Sequence, residues 1–142
     1  MTADGFSLAA TIILLFPMLY FFIASPTFLL AKLEDPVVTW LLRSLFSFHF
    51  RAVSIVCAIG TIAFIVAGRP LVAIAIGVIA ALAVYARQWF LGQLDIQIRA
   101  RDAGEAGAVR ELRRLHWRGM AYNAAQFFLI LSGVPFVFTN PL

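Results

Sequence analysis

Four long runs of apolar residues fill most of this chain and restrict its possible folds more than any other feature. The runs cover residues 6–31, 48–68, 71–89 and 119–138, and none of them contains an Asp or a Glu. A helix needs about 20 apolar residues to cross the hydrocarbon layer of a membrane, so each run is long enough for one crossing. We therefore predict an all-α, polytopic membrane protein built as a bundle of four transmembrane helices.

The composition excludes an ordinary water-soluble protein. Of the 142 residues, 63% are hydrophobic and 13% are charged, whereas soluble globular domains have about 45–50% apolar and about 25% charged residues. Disordered chains are poorer still in apolar residues. After four crossings too few residues remain for a separate soluble domain, so residues 1–142 are predicted to form one domain.

A charged segment between the third and fourth runs is predicted to form a helical stalk. Apolar residues keep helical spacing for several turns after residue 89, so the third helix is expected to continue out of the membrane. Residues 104–107, Gly-Glu-Ala-Gly, have the composition of a turn. The stalk therefore covers about residues 90–118, and Asp95 and Arg99 are expected to pair on its surface at i and i+4.

Proline and glycine residues mark the expected bends and ends of the helices. Pro17 is expected to kink the first span, and the Ser-Pro-Thr sequence at residues 25–27 is expected to bend it again. Residues 37–47 form an amphipathic connector suited to lie along the membrane interface. Residues 68–70, Gly-Arg-Pro, predict a short hairpin between the second and third spans.

The basic residues are distributed unevenly and predict the orientation. Ten of the eleven Lys and Arg lie on the side that holds the first connector and the stalk, and only Arg69 lies on the other side. Short loops rich in Lys and Arg stay in the cytoplasm. We therefore expect a cytoplasmic stalk, both termini outside and a bacterial inner membrane as the location. This orientation explains the net charge of +4 without a nucleic-acid partner.

Polar residues in and beside the fourth span are the first candidates for function. His116, Asn123 and Ile130 lie at seven-residue intervals on one helical face, and Gln126 lies one position from that stripe. Polar groups in a membrane are costly, so the few that occur are functional candidates. Together with Arg51 and Arg114 they predict a cytoplasmic-side cleft. The function expected is a non-catalytic module that binds a lipid-like or cofactor-like ligand, membrane lipids or a partner membrane protein. The simpler alternative is hydrogen bonding between helices, worth about 1 kcal/mol.

The two histidines support an alternative, redox function. His49 and His116 each lie near the cytoplasmic start of a span, on helices that are diagonal in an up-and-down bundle. Such a pair can ligate a haem iron from both faces. A haem b or quinone-linked membrane redox protein that uses His116, with or without His49, is therefore a second hypothesis. Interfacial histidines also serve as simple amphipathic anchors.

A stripe of small residues in the third span supports a third hypothesis. Ala73, Gly77 and Ala81 recur every four residues, the spacing that lets two membrane helices approach closely. We interpret the stripe as packing within the bundle. In an accessory subunit of a larger membrane complex, or in a homo-oligomer, it would be the docking face.

Three segments resemble the transmembrane-protein-205-like family, whose activity is unsettled. Residues 27–30, Thr-Phe-Leu-Leu, and residues 45–50, Leu-Phe-Ser-Phe-His-Phe, are similar to its Phe-Leu-Leu and Leu-Phe-Pro-Phe-Tyr-Phe motifs. Residues 114–123, Arg-Leu-His-Trp-Arg-Gly-Met-Ala-Tyr-Asn, resemble its Arg-Tyr-His-Gly-Leu-Ser-Ser-Leu-Cys-Asn motif. The resemblance covers nearly the whole chain and implies an integral membrane protein of four helices.

The resemblance also bears on single residues. Arg114, His116 and Asn123 occupy positions that the family fills with the same residue types. His49 stands where the family has Tyr, and Ser47 where it has Pro. A haem site that uses His49 would therefore be peculiar to this chain, whereas His116 keeps its role as a ligand or hydrogen-bond anchor.

Overall fold

The computed structural model describes residues 3–138 of the chain, and it is helical throughout. Its four long helices are α1 (Ala3–Ala24), α3 (Pro36–Val66), α4 (Pro70–Asp102) and α5 (Ala108–Phe138), and a single turn of helix, α2 (Thr27–Leu30), follows α1. Within residues 3–138 no strand is present. The all-α prediction is therefore confirmed.

Three segments of the described chain are long and apolar enough to cross a membrane. They are Leu8–Leu30, Pro36–Val66 and Pro70–Asp102. Large apolar side chains cover their outer faces, for example Phe16 on α1, Ile62 on α3 and Ile74 on α4, each more than half exposed. A soluble protein rarely exposes so large an apolar surface. The prediction of a membrane-embedded protein is confirmed at this level.

The four long helices pack as a ring. Helix α3 has its most extensive contacts with α4, α1 packs against both α3 and α5, and α4 packs against α5. The helices α1 and α4 therefore face each other across one diagonal, and α3 and α5 across the other. This arrangement brings the inner face of α5 towards α1, which decides where the candidate site lies.

Gly119 of α5 lets the side chain of Phe46, from the diagonally opposite helix α3, lie against the α5 backbone. A Cβ atom placed on Gly119 would lie 2.2 Å from Cε1 of Phe46. Phe46 itself is fully buried and contacts the rings of Phe21, Phe50 and Phe90 at centroid distances of 5.4–6.1 Å. The aromatic core next to the site therefore requires glycine at residue 119.

The predicted turns and the predicted break in the first span are present. Helix α1 ends at Ala24 and α2 begins at Thr27. The predicted turns hold Gly68, Gly104 and Gly107, whose φ angles are 71°, 77° and 93°. These angles lie in the left-handed region that favours glycine. Pro17 lies inside α1, which continues for seven residues beyond it.

The prediction that residues 37–47 lie along the membrane interface is wrong. These residues are the beginning of α3, which runs without interruption from Pro36. The helix begins there because Pro36 occupies the first helical position and Asp35 caps the end, its Oδ1 accepting from the Val37 amide at 2.8 Å. Leu42 and Phe46 then pack into the core at helical spacing.

The predicted pairing of Asp95 with Arg99 is also corrected. Asp95 forms its hydrogen-bonded ion pair with Arg43 on the neighbouring helix α3, and this hydrogen bond lowers the pKa of the carboxyl, whereas Arg99 acts on Asp95 only through its charge, which lowers that pKa further. Arg43 Nε donates to Asp95 Oδ1 at 2.5 Å, and Nη2 donates to Oδ2 at 2.8 Å. The two parallel bonds match the fork of the guanidinium. The ion pair therefore joins α3 to α4, whereas the predicted pair would have joined two turns of one helix.

The small-residue stripe of α4 does not form a continuous outer docking face. Ala73 is buried in the core, and a Cβ atom on Gly77 would contact Thr61 of α3 at 3.6 Å. Ala81 alone of the three is exposed. The stripe therefore packs α4 against α3 within this chain.

Candidate ligand site on the inner face of α5

The polar residues predicted for the fourth span lie together on the buried face of α5. His116, Asn123 and Gln126 have 0%, 1% and 6% of their surface exposed. They share a face because Asn123 follows His116 by seven residues, about two helical turns, and Gln126 follows Asn123 by three. We call these three residues the polar stripe.

His116, the first residue of the polar stripe along the chain, is held by Ser25, which follows α1. Its Nε2 and the hydroxyl of Ser25 form a buried hydrogen bond of 2.6 Å. The rings of Phe28 and Phe46 each contact the imidazole edge-on at 6.2 Å. Ser25 comes from the break between α1 and α2, so the break positions the hydroxyl that holds the histidine.

His116 is a neutral imidazole with one unused nitrogen. Burial lowers its pKa to about 4, and the positive charge of Arg113 acts in the same direction. Nδ1 is buried and has no hydrogen-bond partner. Whichever nitrogen carries the proton, the ring therefore offers one further donor or acceptor in the core.

Asn123 and Gln126 each have one satisfied and one unsatisfied polar atom. Asn123 Nδ2 donates to the carbonyl oxygen of Met18 on α1 at 3.1 Å, and Gln126 Nε2 donates to the hydroxyl of Tyr122 at 3.0 Å. Asn123 Oδ1 and Gln126 Oε1 are buried without a partner. A buried polar atom without a partner costs about 1–3 kcal/mol. A further group that bonded these two oxygens would remove that cost.

His49 is a core residue of α3, which contradicts its interpretation as an interfacial anchor. It is 1% exposed, and its ring lies 4.3 Å from that of Phe21 and 5.2 Å from that of Phe50. Neither of its ring nitrogens has a hydrogen-bond partner. In the Phe-His-Phe sequence at residues 48–50, which resembled an interfacial anchor, the histidine therefore packs into the core.

The packing between the two histidines does not fit a haem. Phe21 contacts His49, Phe21 and Phe46 contact each other at 5.4 Å, and Phe46 contacts His116. Two phenyl rings thus occupy the space between the imidazoles, where a porphyrin ligated from both faces would have to lie.

The arginines predicted for the cleft lie elsewhere. Arg51 is exposed on α3, and Arg114 is exposed on α5, where Nη1 donates to Glu111 Oε1 at 2.8 Å. The structure therefore brings together His116, Asn123 and Gln126 but leaves both of these arginines outside the buried group.

Two other arginines, which the sequence interpretation missed, bind the connector between α1 and α3. Arg113 of α5 donates to the carbonyl oxygens of Leu29 and Ala31, the latter at 3.3 Å. Arg101 of α4 donates to Leu33 O at 3.2 Å and to Thr39 Oγ1 at 2.5 Å. The signal for Arg113 was its spacing, three residues before His116 on the same helical face.

The buried polar groups of the described chain can donate and accept hydrogen bonds. Apart from the histidines, the buried polar residues of the described chain are hydroxyl and amide residues, and none is acidic. Comparisons with known proteins add no further assignment: no protein-family model, curated protein or solved structure matches this chain. The function is therefore argued from the site alone.

Proposed function

We propose that this protein is an integral membrane protein with four spans that binds a lipid-like ligand without catalysing a reaction. The spans cover residues 6–31, 48–68, 71–89 and 119–138, the stalk at residues 90–118 is cytoplasmic and both termini are outside. The ligand carries a hydroxyl-bearing head group and binds between α1 and α5, at the polar stripe. Membership of the transmembrane-protein-205-like family belongs to the same proposal.

Helix contacts and charge support the fourth span and the orientation. Helix α5 packs against both α1 and α4, whose outer faces are apolar, so its C-terminal part runs alongside two membrane-spanning segments. The excess of Lys and Arg on the side of the stalk supports a cytoplasmic stalk through the positive-inside rule.

The observation that carries the proposed ligand is the set of unused polar atoms on the polar stripe. Asn123 Oδ1 is an acceptor without a partner, and its identity as the oxygen is fixed because the other amide atom, Nδ2, donates to the Met18 carbonyl. His116 Nδ1 and Gln126 Oε1 are also free. A hydroxyl group both donates and accepts, so it satisfies an amide oxygen and either form of the imidazole.

The surroundings of these atoms favour a ligand with an apolar body. Met18 on the facing helix is fully buried, the rings of Phe22 and Phe127 meet edge-on at 5.5 Å, and Ile130 packs against the same core. The three unused polar atoms are thus surrounded by apolar side chains. An amphipathic molecule with hydroxyls at one end meets both conditions.

A binding titration with 1-oleoylglycerol, which has two free hydroxyls, tests the proposal. The detergent-purified protein is titrated and bound lipid is counted by native mass spectrometry, with methyl oleate as the probe without hydroxyls. We expect preferential binding of 1-oleoylglycerol, and we expect the double variant Asn123→Leu, Gln126→Leu to weaken it about tenfold, because two hydrogen bonds are lost.

Ser132→Ala is the matched control, since Ser132 lies on the exposed face of α5 and its hydroxyl donates to Leu129 O. It should leave binding unchanged. Equal binding of both probes, or unchanged binding by the double variant, would show that the two amides do not bind the ligand and would contradict the proposal.

A further inference from the structure

A second feature of the bundle, independent of the polar stripe, is the register of the antiparallel helices α3 and α4, which two contacts fix. Near the stalk, Arg43 of α3 pairs with Asp95 of α4. Further along, a Cβ atom on Gly77 of α4 would contact Thr61 of α3 at 3.6 Å. The second contact lies 18 residues from the ion pair along each helix. Residues between the two contacts therefore face each other in the same register.

Each of the two helices carries an arginine at the same level of this register. Arg51 and Arg87 each lie eight residues from the ion pair, which is about 12 Å at a rise of 1.5 Å per residue. Ser47 lies one turn before Arg51 on the same side of α3, and its hydroxyl accepts from Arg87 Nη2 at 3.1 Å. The two arginines therefore share this junction between α3 and α4 with one hydroxyl.

Within residues 3–138, no acidic side chain pairs with Arg51 or Arg87. Residues 36–94, which include all of α3 and most of α4, contain no Asp or Glu. The next acidic residue, Asp95, is held by both branches of the Arg43 guanidinium. Like charges repel each other more strongly in surroundings of low dielectric constant, so an anion at this junction would stabilise both arginines.

Hydrogen-bond donors at the junction are also unused. Arg87 Nε is buried without a partner, and Arg51 is exposed and has no partner among the described residues. The Ser47 hydroxyl accepts from Arg87 but donates to no described residue, whereas the hydroxyl of Ser54, two turns on, donates to Phe50 O at 2.7 Å. A guanidinium group matches the oxygens of a phosphate with two parallel hydrogen bonds.

The junction lies at the level of the membrane surface, an inference that rests on the proposed spans. Arg51 and Arg87 each lie within three residues of an end of those spans. Trp89, which follows Arg87 by two residues, is 38% exposed, and tryptophan is enriched where a membrane meets water. Phosphate groups of lipids and soluble phosphates both reach this level.

Together these observations define a site for one kind of chemical group. We propose that Arg51, Arg87 and Ser47 bind an anionic phosphate group at the junction of α3 and α4. The two guanidinium groups donate to its oxygens and neutralise its charge, and the Ser47 hydroxyl donates as well. The phosphate belongs either to the head group of an anionic phospholipid or to a soluble phosphate, since both present the same oxygens.

Two binding measurements on the full-length protein in a non-ionic detergent test the site and separate the two sources. Native mass spectrometry counts bound dioleoyl phosphatidylglycerol against dioleoyl phosphatidylcholine, whose choline adds a positive charge beside the same phosphate. Isothermal titration calorimetry with inorganic phosphate, at constant ionic strength, tests the soluble source. Preferential binding of phosphatidylglycerol would assign the site to a lipid head group, and binding of inorganic phosphate would assign it to a soluble phosphate.

Arginine variants with a matched loss of charge show whether binding occurs at this junction. The double variant Arg51→Gln, Arg87→Gln should weaken binding of the preferred probe about tenfold, because charge-assisted hydrogen bonds are lost. The control Arg110→Gln, Arg118→Gln removes the same charge from exposed positions of α5 and should leave binding unchanged. Arg51→Gln alone, at a side chain that contacts no partner, should weaken binding about threefold without disturbing the fold.

The outcome is independent of the proposal for the polar stripe, which lies on α5 towards α1. The double arginine variant should bind 1-oleoylglycerol as the unsubstituted protein does, and Asn123→Leu, Gln126→Leu should bind the phosphate probe unchanged. An equal loss of binding in the two double arginine variants would overturn the phosphate site. Equal binding of the two phospholipids without binding of inorganic phosphate would overturn it as well.

Discussion

At the scale of single residues, the core is organised around one glycine and one histidine. Gly119 lets the ring of Phe46 lie against the backbone of α5, and Phe46 in turn contacts the edge of His116. The hydroxyl of Ser25 then holds the other side of the imidazole. The position of His116 therefore depends on Phe46 of α3 and on Ser25 in the turn between α1 and α2, as well as on Gly119 of its own helix.

The first prediction concerns Gly119→Ala. The added Cβ atom would lie 2.2 Å from the Phe46 ring, so we expect a loss of about 1–3 kcal/mol in the free energy of unfolding. The additional change Phe46→Leu should recover part of this loss. Thermal unfolding in detergent measures the effect. Gly133→Ala, which has open space around its Cβ position, should be neutral or slightly stabilising, because glycine is unfavourable within a helix.

The second prediction concerns the pH dependence that His116 causes. Its pKa is about 4 in the folded protein and 6.5 in a solvated chain, so the unfolded state binds a proton first as the pH falls. The stability due to the neutral ring is present above pH 6.5 and is lost as the pH falls towards 4. We expect His116→Gln to reduce the slope of the melting temperature against pH between these values. A slope as steep as that of the unsubstituted protein would contradict this role.

At the scale of helices, arginine side chains join segments that are distant in sequence. Arg113 and Arg101 bind the connector that follows α1, and Arg43 joins α3 to Asp95 of α4. These contacts cluster at one end of the bundle, where the stalk is proposed to leave the membrane. They supply hydrogen-bond partners to connector carbonyls that would otherwise be left without them.

The third prediction is a double-mutant cycle on the pair between α3 and α4. Arg43→Gln and Asp95→Asn should each lower the free energy of unfolding, with a coupling of up to about 1 kcal/mol because both side chains are more than one third exposed. The exposed Arg114 and Glu111 pair, at i and i+3 of one helix, should couple by about 0.5 kcal/mol or less. A coupling between Arg43 and Asp95 of about 0.5 kcal/mol or less would show that their ion pair does not join α3 to α4.

The sequence predicted helix ends and faces well but not the contacts between helices. The glycines at residues 68, 104 and 107 and the prolines at residues 26 and 70 marked the turns because their backbone chemistry is local. The stripe of His116, Asn123 and Gln126 was visible because its spacing is helical. The partner of Asp95 was not, because a sequence shows that Arg99 lies one turn away and cannot show that Arg43 lies on the neighbouring helix.

At the scale of the whole molecule, the ring of helices holds α1 between α3 and α5. The polar stripe lies on the side of α1 that faces α5. The aromatic core formed by Phe21, Phe46, Phe50 and Phe90 fills the space that a haem between His49 and His116 would need.

The fourth prediction concerns the orientation of the chain. In a Cys57→Ser background, Ala106→Cys places a thiol in the exposed turn between α4 and α5, and Leu71→Cys places one at the exposed start of α4. With a membrane-impermeant maleimide on intact bacterial cells, we expect labelling at residue 71 and not at residue 106. Opening the cells should then expose residue 106. The reverse pattern would show that the stalk is outside.

The central claim, that a ligand binds at the unused amide oxygens of α5, is tested most directly by side-chain amide NMR. The protein is labelled with ¹⁵N at Asn and Gln, and 1-oleoylglycerol is added in detergent. We predict that the side-chain amide resonances of Asn123 and Gln126 move, while those of Gln88, Gln93 and Gln97 on α4 keep their positions. Resonances of Asn123 and Gln126 that stay in place, or a uniform movement of all five, would contradict the account.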